Sequence, residues 1–299
     1  MALRELEFPV HTLDNHCLLA QGSTLDLETL NALIESSRED RYPESDLSRY
    51  GSVTKDTLSF LKEPPFDKIF GDPQIKTVLD TMQRVSLPLP VMEYLDYFQK
   101  SDVYTYRHLI IVYALSIIMD NALLEDKDAQ YLMAKTGPSH DFGKTCTPLS
   151  VLKKKTPLTR NERAMLEHHV TAGYVIMGYY LKDVDCLSAA LARDHHERKD
   201  GSGYPTGIHL EDRKTEIIVV SDVYDALISK RPYRKSSYDN RTALEEITRM
   251  AERGEIGWEV LQILIGLNRA GRPHYTEVKV SIEKRGTPPA KNVYGITEE

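Results

Sequence analysis

Residues 102–123 read DVYTYRHLIIVYALSIIMDNAL, and this stretch decides the fold. Leu109, Val112, Leu115 and Ile118 recur at helical spacing, which predicts one long apolar helix. Its most apolar part, residues 109–119, falls short of the ~18 apolar residues that span a bilayer and is interrupted by Tyr113 and Ser116. On the C-terminal side, Thr159-Arg160-Asn161-Glu162 has the form of a capping box and predicts a helix running to about Leu181. Further helices fit residues 187–197, 212–229, 240–253 and 256–268, with a Gly/Pro loop at residues 200–207. Val278, Val280 and Ile282 alternate with Glu277, Lys279 and Ser281, the period of a half-buried strand.

On the N-terminal side the texture changes near Val91, where Pro88 and Pro90 mark a boundary. Residues 1–90 read as a small α or α/β domain that regulates or packs. It has a short strand at Cys17-Leu18-Leu19-Ala20, a helix capped by Asp26, turn formers across residues 41–75 and a short helix at 74–84. Residues 91–299 form the second domain. The expected fold is mainly α, a helical bundle with this small N-terminal domain and a short C-terminal β segment.

Hydrophobic residues make up 41% of the chain and charged residues 28%, enough to bury a core and too apolar for wholesale disorder. With 45 acidic against 38 basic residues the net charge is −7, which argues against long nucleic-acid polymers, whose phosphates demand surplus Lys and Arg. Cys17, Cys146 and Cys186 form no CxxC pair, so neither a disulfide framework nor a four-cysteine zinc site is expected. A cytoplasmic location follows as the simple expectation, together with the acidic N-terminus and the lack of a membrane span.

Histidine carries the functional signal. Six of the ten lie between His108 and His196. Alone, each feature has a plain structural reading: His108 as a hydrogen-bonded core residue, Asp222 as a helix-surface carboxylate. Taken together, His108, His140, Asp141, His169, His195, His196 and Asp222 describe a metal site, because imidazole and carboxylate suit borderline divalent ions and helices of a bundle let such ligands converge. The absence of thiolate disfavours structural zinc.

Two stretches, His140-Asp141-Phe142-Gly143-Lys144 and His195-His196-Glu197-Arg198-Lys199-Asp200-Gly201-Ser202-Gly203-Tyr204-Pro205, resemble the signatures of the HD-GYP phosphodiesterases, a branch of the HD metallohydrolases that degrades cyclic di-GMP. The resemblance continues through Lys155-Thr156-Pro157-Leu158-Thr159, Ser221-Asp222-Val223-Tyr224-Asp225-Ala226-Leu227 and Arg231-Pro232-Tyr233-Arg234, and covers roughly residues 98–270. It implies an HD-type helical bundle. It makes His108, His140, Asp141 and Asp222 ligands of one ion, with Asp141 bridging to a second held by His169, His195 and His196. His169 is preferred to His168 because the family places this ligand four residues before a Gly, here Gly173; His168 is then a helix-surface residue. Asp141 and Lys144 are the implied catalytic residues, and Lys144, Tyr204, Arg231 and Arg234 the implied substrate contacts, within a basic cluster that includes Lys230 and Lys235.

The expected activity is hydrolysis of cyclic di-GMP to linear pGpG, with GMP as an open second product, by a hydroxide bridging two divalent ions. Iron ranks first and manganese second. Metal coordination brings the pKa of water from about 15.7 to near 7 and so makes hydroxide available. The alternatives are a catalytically weak cyclic-dinucleotide receptor or partner-recruiting module, and a phosphodiesterase for another cyclic dinucleotide. Diguanylate cyclases with GGDEF domains are implied partners, and a homodimer is compatible with the pattern. Two departures stand out. Tyr104 occupies a position where some relatives carry a third-metal Glu, so two ions are expected. Gly137-Pro138-Ser139 replaces apolar helical residues, and Pro138 disfavours helix at Gly137, so a break before His140 is expected.

Overall fold

The computed structural model describes residues 4–123, 126–230, 236–281 and 283–289. Three two-stranded antiparallel ribbons lie in the N-terminal third: β1 (Arg4–Glu5) with β4 (Thr24–Leu25), β2 (Val10–His11) with β3 (Cys17–Leu19), and β5 (Glu44–Asp46) with β6 (Ser86–Pro88). Asp26 caps α1 (Leu27–Ser36) by accepting the Thr29 amide at 2.7 Å. Next come α2 (Val53–Lys62) and α3 (Asp72–Met82). Pro88 ends β6 and Pro90 lies in the first turn of α4 (Leu89–Ser101), where proline's missing N–H costs no helical bond.

The long helix is α5 (Val103–Leu123), and residues 108–120 of it are buried on every side. Leu109, Ile110, Ile111 and Val112 are all enclosed, because α5 packs against α2, α3 and α4 and against three later helices: α6 (Lys127–Thr136), α11 (Arg213–Ile228) and α13 (Trp258–Leu267). A helix surrounded in this way is apolar all round, and the few polar residues it buries need partners. His108 is one of them. No helix among the described residues is long and apolar enough to cross a membrane.

The segment before residue 90 joins the same buried apolar cluster through Leu61, Phe66, Val78 and Met82. Tyr106 of α5 donates to Asp56 of α2 at 2.7 Å, and Arg272 Nη2 donates to the Ile69 carbonyl at 2.8 Å.

The capping box forms as expected: Glu162 Oε2 accepts from the Thr159 amide, and Thr159 Oγ1 from the Glu162 amide. The helix it starts does not run unbroken to Leu181. It divides at His168 into α8 (Arg160–Glu167) and α9 (His169–Leu181). Packed on α8 is α7 (Leu149–Leu152) and on α9 is α10 (Leu187–Asp194), while α12 (Asn240–Glu252) packs on α11 and α13.

The expected C-terminal strand is absent among the described residues. A 3-10 turn at Tyr275–Glu277 leads into unpaired chain, and Ile282 lies outside the described residues. The alternation is a burial pattern without a partner strand. Val278 is buried, but its carbonyl accepts from Gln262 Nε2 at 3.0 Å and that of Lys279 from Arg269 Nη2 at 2.6 Å. Side chains on and just after α13 thus take the bonds a sheet would have used.

Candidate metal centre

Five parts of the bundle meet at one end of α5. His108 comes from α5; His140 and Asp141 sit at the turn after α6; His169 opens α9; His195 and His196 follow α10; Asp222 lies on α11. All seven residues expected to bind metal are therefore brought together. They form two groups whose donor atoms lie close enough to share an ion: His108, His140 and Asp222, and His169, His195 and His196.

Asp141 lies between the groups and gives one oxygen to each. Its Oδ1 is 3.3 Å from His169 Nε2 and 3.7 Å from His195 Nε2. Its Oδ2 is 3.5 Å from His108 Nε2 and 3.6 Å from His140 Nε2, and pairs with the Lys144 ammonium. Burial alone would raise this carboxyl, but the Lys144 charge beside it helps hold it well below the usual carboxylate range.

The ring protons follow from the outer contacts. His108 Nδ1 donates to Asp225 Oδ2 at 2.6 Å, His169 Nδ1 to the Leu166 carbonyl at 2.6 Å, and His195 Nδ1 to the Ala192 carbonyl at 3.0 Å. His140 Nδ1 faces the Gly137 carbonyl at 3.3 Å. With Nδ1 so engaged, each Nε2 turns its lone pair inward. The inward nitrogens approach one another, at 3.5 Å for His108 and His140 and 3.3 Å for His169 and His195. Burial drives the imidazoles of His140 and His169 down to about 3, so they are neutral at pH 7. Facing lone pairs repel, and Asp141 Oδ1 is buried with no hydrogen-bond partner. Cations at the two foci relieve both problems, so the donor set fits divalent metal.

The α-helix ends at Gly137-Pro138-Ser139 as expected, in a buried 3-10 turn, but Gly137 itself keeps a helical conformation (φ −57°, ψ −34°) despite the proline after it. The turn leaves His140 in reach of the centre and supplies the carbonyl that its Nδ1 faces. Gly143 lets the next 3-10 turn, Phe142–Cys146, lie against α9: a Cβ there would sit 1.9 Å from the His169 carbonyl oxygen. His168 is half-buried, not a free surface residue, with its ring 5.6 Å from that of Phe8.

His196, Asp222 and Lys144 are only partly buried and mark the open side of the centre. Tyr204 stands there with its ring stacked on His196 at 4.6 Å and 13°. The loop that carries it is fixed by Glu197, whose fully buried carboxylate accepts from the Thr206 amide and hydroxyl, both at 2.7 Å, and from the Gly207 amide. Gly201 takes φ +78°, and a Cβ on Gly203 would lie 2.4 Å from Glu197 Cα. Arg231, Arg234 and Lys235 lie outside the described residues, while Lys230 is exposed. Tyr104, one turn before His108, is 44% exposed and offers no carboxylate.

Sequence reasoning assigned no role to Asp225, Ser229, Arg107 or Glu197. Asp225 follows Asp222 by three residues, one helical turn, and that spacing was its available signal.

The family described as "HD domain" matches residues 97–260. Among curated proteins, the cyclic di-GMP phosphodiesterase response regulator RpfG of Xanthomonas campestris is 39% identical over 35% of this chain and 28% of its own length. A cyclic di-GMP phosphodiesterase of Pseudomonas aeruginosa is 36% identical over 51% of this chain and 36% of its own. The 3'3'-cGAMP-specific phosphodiesterase 1 of Vibrio cholerae is 35% identical over 44% and 31% respectively. The aligned part therefore spans about a third of each relative's length.

Proposed function

Since the chain belongs to the HD-domain family, we propose that it is a metal-dependent phosphodiesterase of the HD-GYP type that opens cyclic di-GMP to linear pGpG. The observation that carries this reading is Asp141, one buried carboxylate shared between two inward-facing ligand groups. Two divalent ions held there, iron first and manganese second, would polarise a phosphodiester and supply hydroxide at neutral pH.

The chain's own residues do the rest. Lys144 reaches the centre from its open side, where its ammonium offsets negative charge growing on the phosphate. Tyr204, held by the Glu197-pinned loop, presents an aromatic face and a phenol at the rim, suited to a guanine base or a phosphate oxygen. Arg231 and Arg234, outside the described residues, are the further proposed phosphate contacts, for which their planar fork is suited. Two divalent ions would outweigh the charges of Asp141 and Asp222 and leave the centre positive, an attractive seat for a dianionic dinucleotide. Residues 1–90 serve as a regulatory or packing domain and residues 91–299 as the catalytic one. Widely spaced free cysteines agree with a cytoplasmic protein, and GGDEF cyclases and a second copy of the chain are its proposed protein partners.

Side-by-side incubation of metal-loaded protein with cyclic di-GMP and 3'3'-cGAMP, with products separated by chromatography, tests the reading. Linear pGpG is expected. Faster opening of 3'3'-cGAMP would move the substrate to the mixed dinucleotide, the activity in the name of the Vibrio relative. Both rings left intact would refute phosphodiesterase activity.

A further inference from the structure

Arg107 precedes the ligand His108 but points away from the metal-binding groups. Its guanidinium carbon lies 5.3 Å from the Phe66 ring centre and 5.6 Å from that of Phe60, both in the N-terminal segment. On its other side, Nη1 donates to Ser229 Oγ at 2.9 Å and stands 4.0 Å from Asp225 Oδ1. Ser229 Oγ donates to Asp225 Oδ1 at 2.5 Å, and Asp225 Oδ2 receives the His108 Nδ1 proton. A continuous set of contacts thus runs from two aromatic rings at residues 60 and 66 to a metal-ligating imidazole.

We propose that Arg107, Ser229 and Asp225 form a positioning array that sets the metal affinity of the His108–His140–Asp222 group and ties it to the packing of residues 53–70. The inference rests on the metal-centre reading above. Asp225 is 1% exposed, and a carboxylate so enclosed requires compensating charge and hydrogen bonds. Arg107 and Ser229 are among the groups that supply them. Thus held, Asp225 fixes the His108 ring with Nε2 inward and raises its strength as a ligand. Arg107 is itself held by aromatic faces, to which guanidinium is attracted. A change in how Phe60 and Phe66 pack would move the cation relative to Asp225 and so reach His108. The other group is an internal reference: the outer nitrogens of His169 and His195 face backbone carbonyls of nearby residues, which no side-chain replacement removes.

The test is calorimetric titration of the metal-free full chain with Mn²⁺ alone, for wild type and for Asp225→Asn, Arg107→Gln and Phe60→Leu. Wild type is expected to show two binding steps. Asp225→Asn and Arg107→Gln should weaken one step by about 10- to 100-fold, the usual effect of removing an outer partner, and leave the other within about threefold. Phe60→Leu should weaken the same step by a smaller factor. Arg107 is partly exposed, so its variant gives the reading even where Asp225→Asn fails to fold. Two wild-type steps with unchanged variants, or equal weakening of both steps, would overturn this inference alone. No binding by wild type would instead remove the metal-centre reading beneath it.

Discussion

The two halves of the proposed metal centre are oriented by different means. In the His169–His195–His196 half, the outer nitrogens of His169 and His195 are fixed by the carbonyls of Leu166, Leu191 and Ala192, three or four residues earlier in the chain. In the other half, His108 is turned by Asp225, a side chain on a different helix 117 residues away, with Ser229 and Arg107 behind it. In the first half the ring orientation is set by local backbone, as it is for His140 in the other, although the group itself needs α9 and α10 packed together. The second exists only once α11 has packed on α5. A backbone-oriented site is robust; a side-chain-oriented one is adjustable.

The largest break comes from the residue common to both halves. Asp141→Ala removes an oxygen ligand from each, and turnover of cyclic di-GMP should fall by at least ~10³-fold in a product assay, with loss of bound metal. A smaller loss, about 10²- to 10³-fold in kcat, is expected for Lys144→Ala, comparable to removing one preorganised donor. Metal content should change little, because Lys144 meets only Asp141 of the ligand set. Retained metal with lost turnover separates this lysine from the ligands.

Gly143→Ala strikes the backbone-oriented half. The added methyl would meet the His169 carbonyl at 1.9 Å and the Gly173 amide nitrogen at 2.4 Å, so α9 must shift. Overpacking of this kind costs about 1–3 kcal/mol, and thermal unfolding should show a lowered Tm together with weaker metal binding.

The halves are least distinct in acid. In metal-free protein, His140 and His169 titrate near 3, below the ordinary value of 6.5, because burial disfavours their charged forms. The unfolded chain therefore binds more protons between those values. Stability is complete above about 6.5 and declines as pH falls through that window toward 3. Thermal melts of the metal-free protein from pH 8 to pH 4 should show Tm falling below pH 6.5; a flat profile would contradict neutral, buried imidazoles.

The parts legible in the sequence are those whose chemistry is local. The Thr159–Glu162 capping box and the cap at Asp26 formed because each is complete within four residues. Pro138 announced the turn before His140, and the sequence pattern singled out the seven His and Asp residues that the fold gathers near one end of α5. What stayed hidden depends on partners distant in sequence. Asp225 reads as another helix carboxylate until α11 lies on α5. The Val278 alternation reports burial but cannot say whether a strand stands beside it. The division at His168 had no Gly or Pro to mark it; the close approach of the Gly143 turn to α9 is visible only in three dimensions.

The central claim is that Asp141 joins two ligand groups into one dinuclear centre. Elemental analysis of the full chain, reconstituted anaerobically with iron or manganese and freed of excess metal, tests it most directly. Two ions per chain are expected. None, a single ion, or a third ion despite Tyr104 would contradict the account.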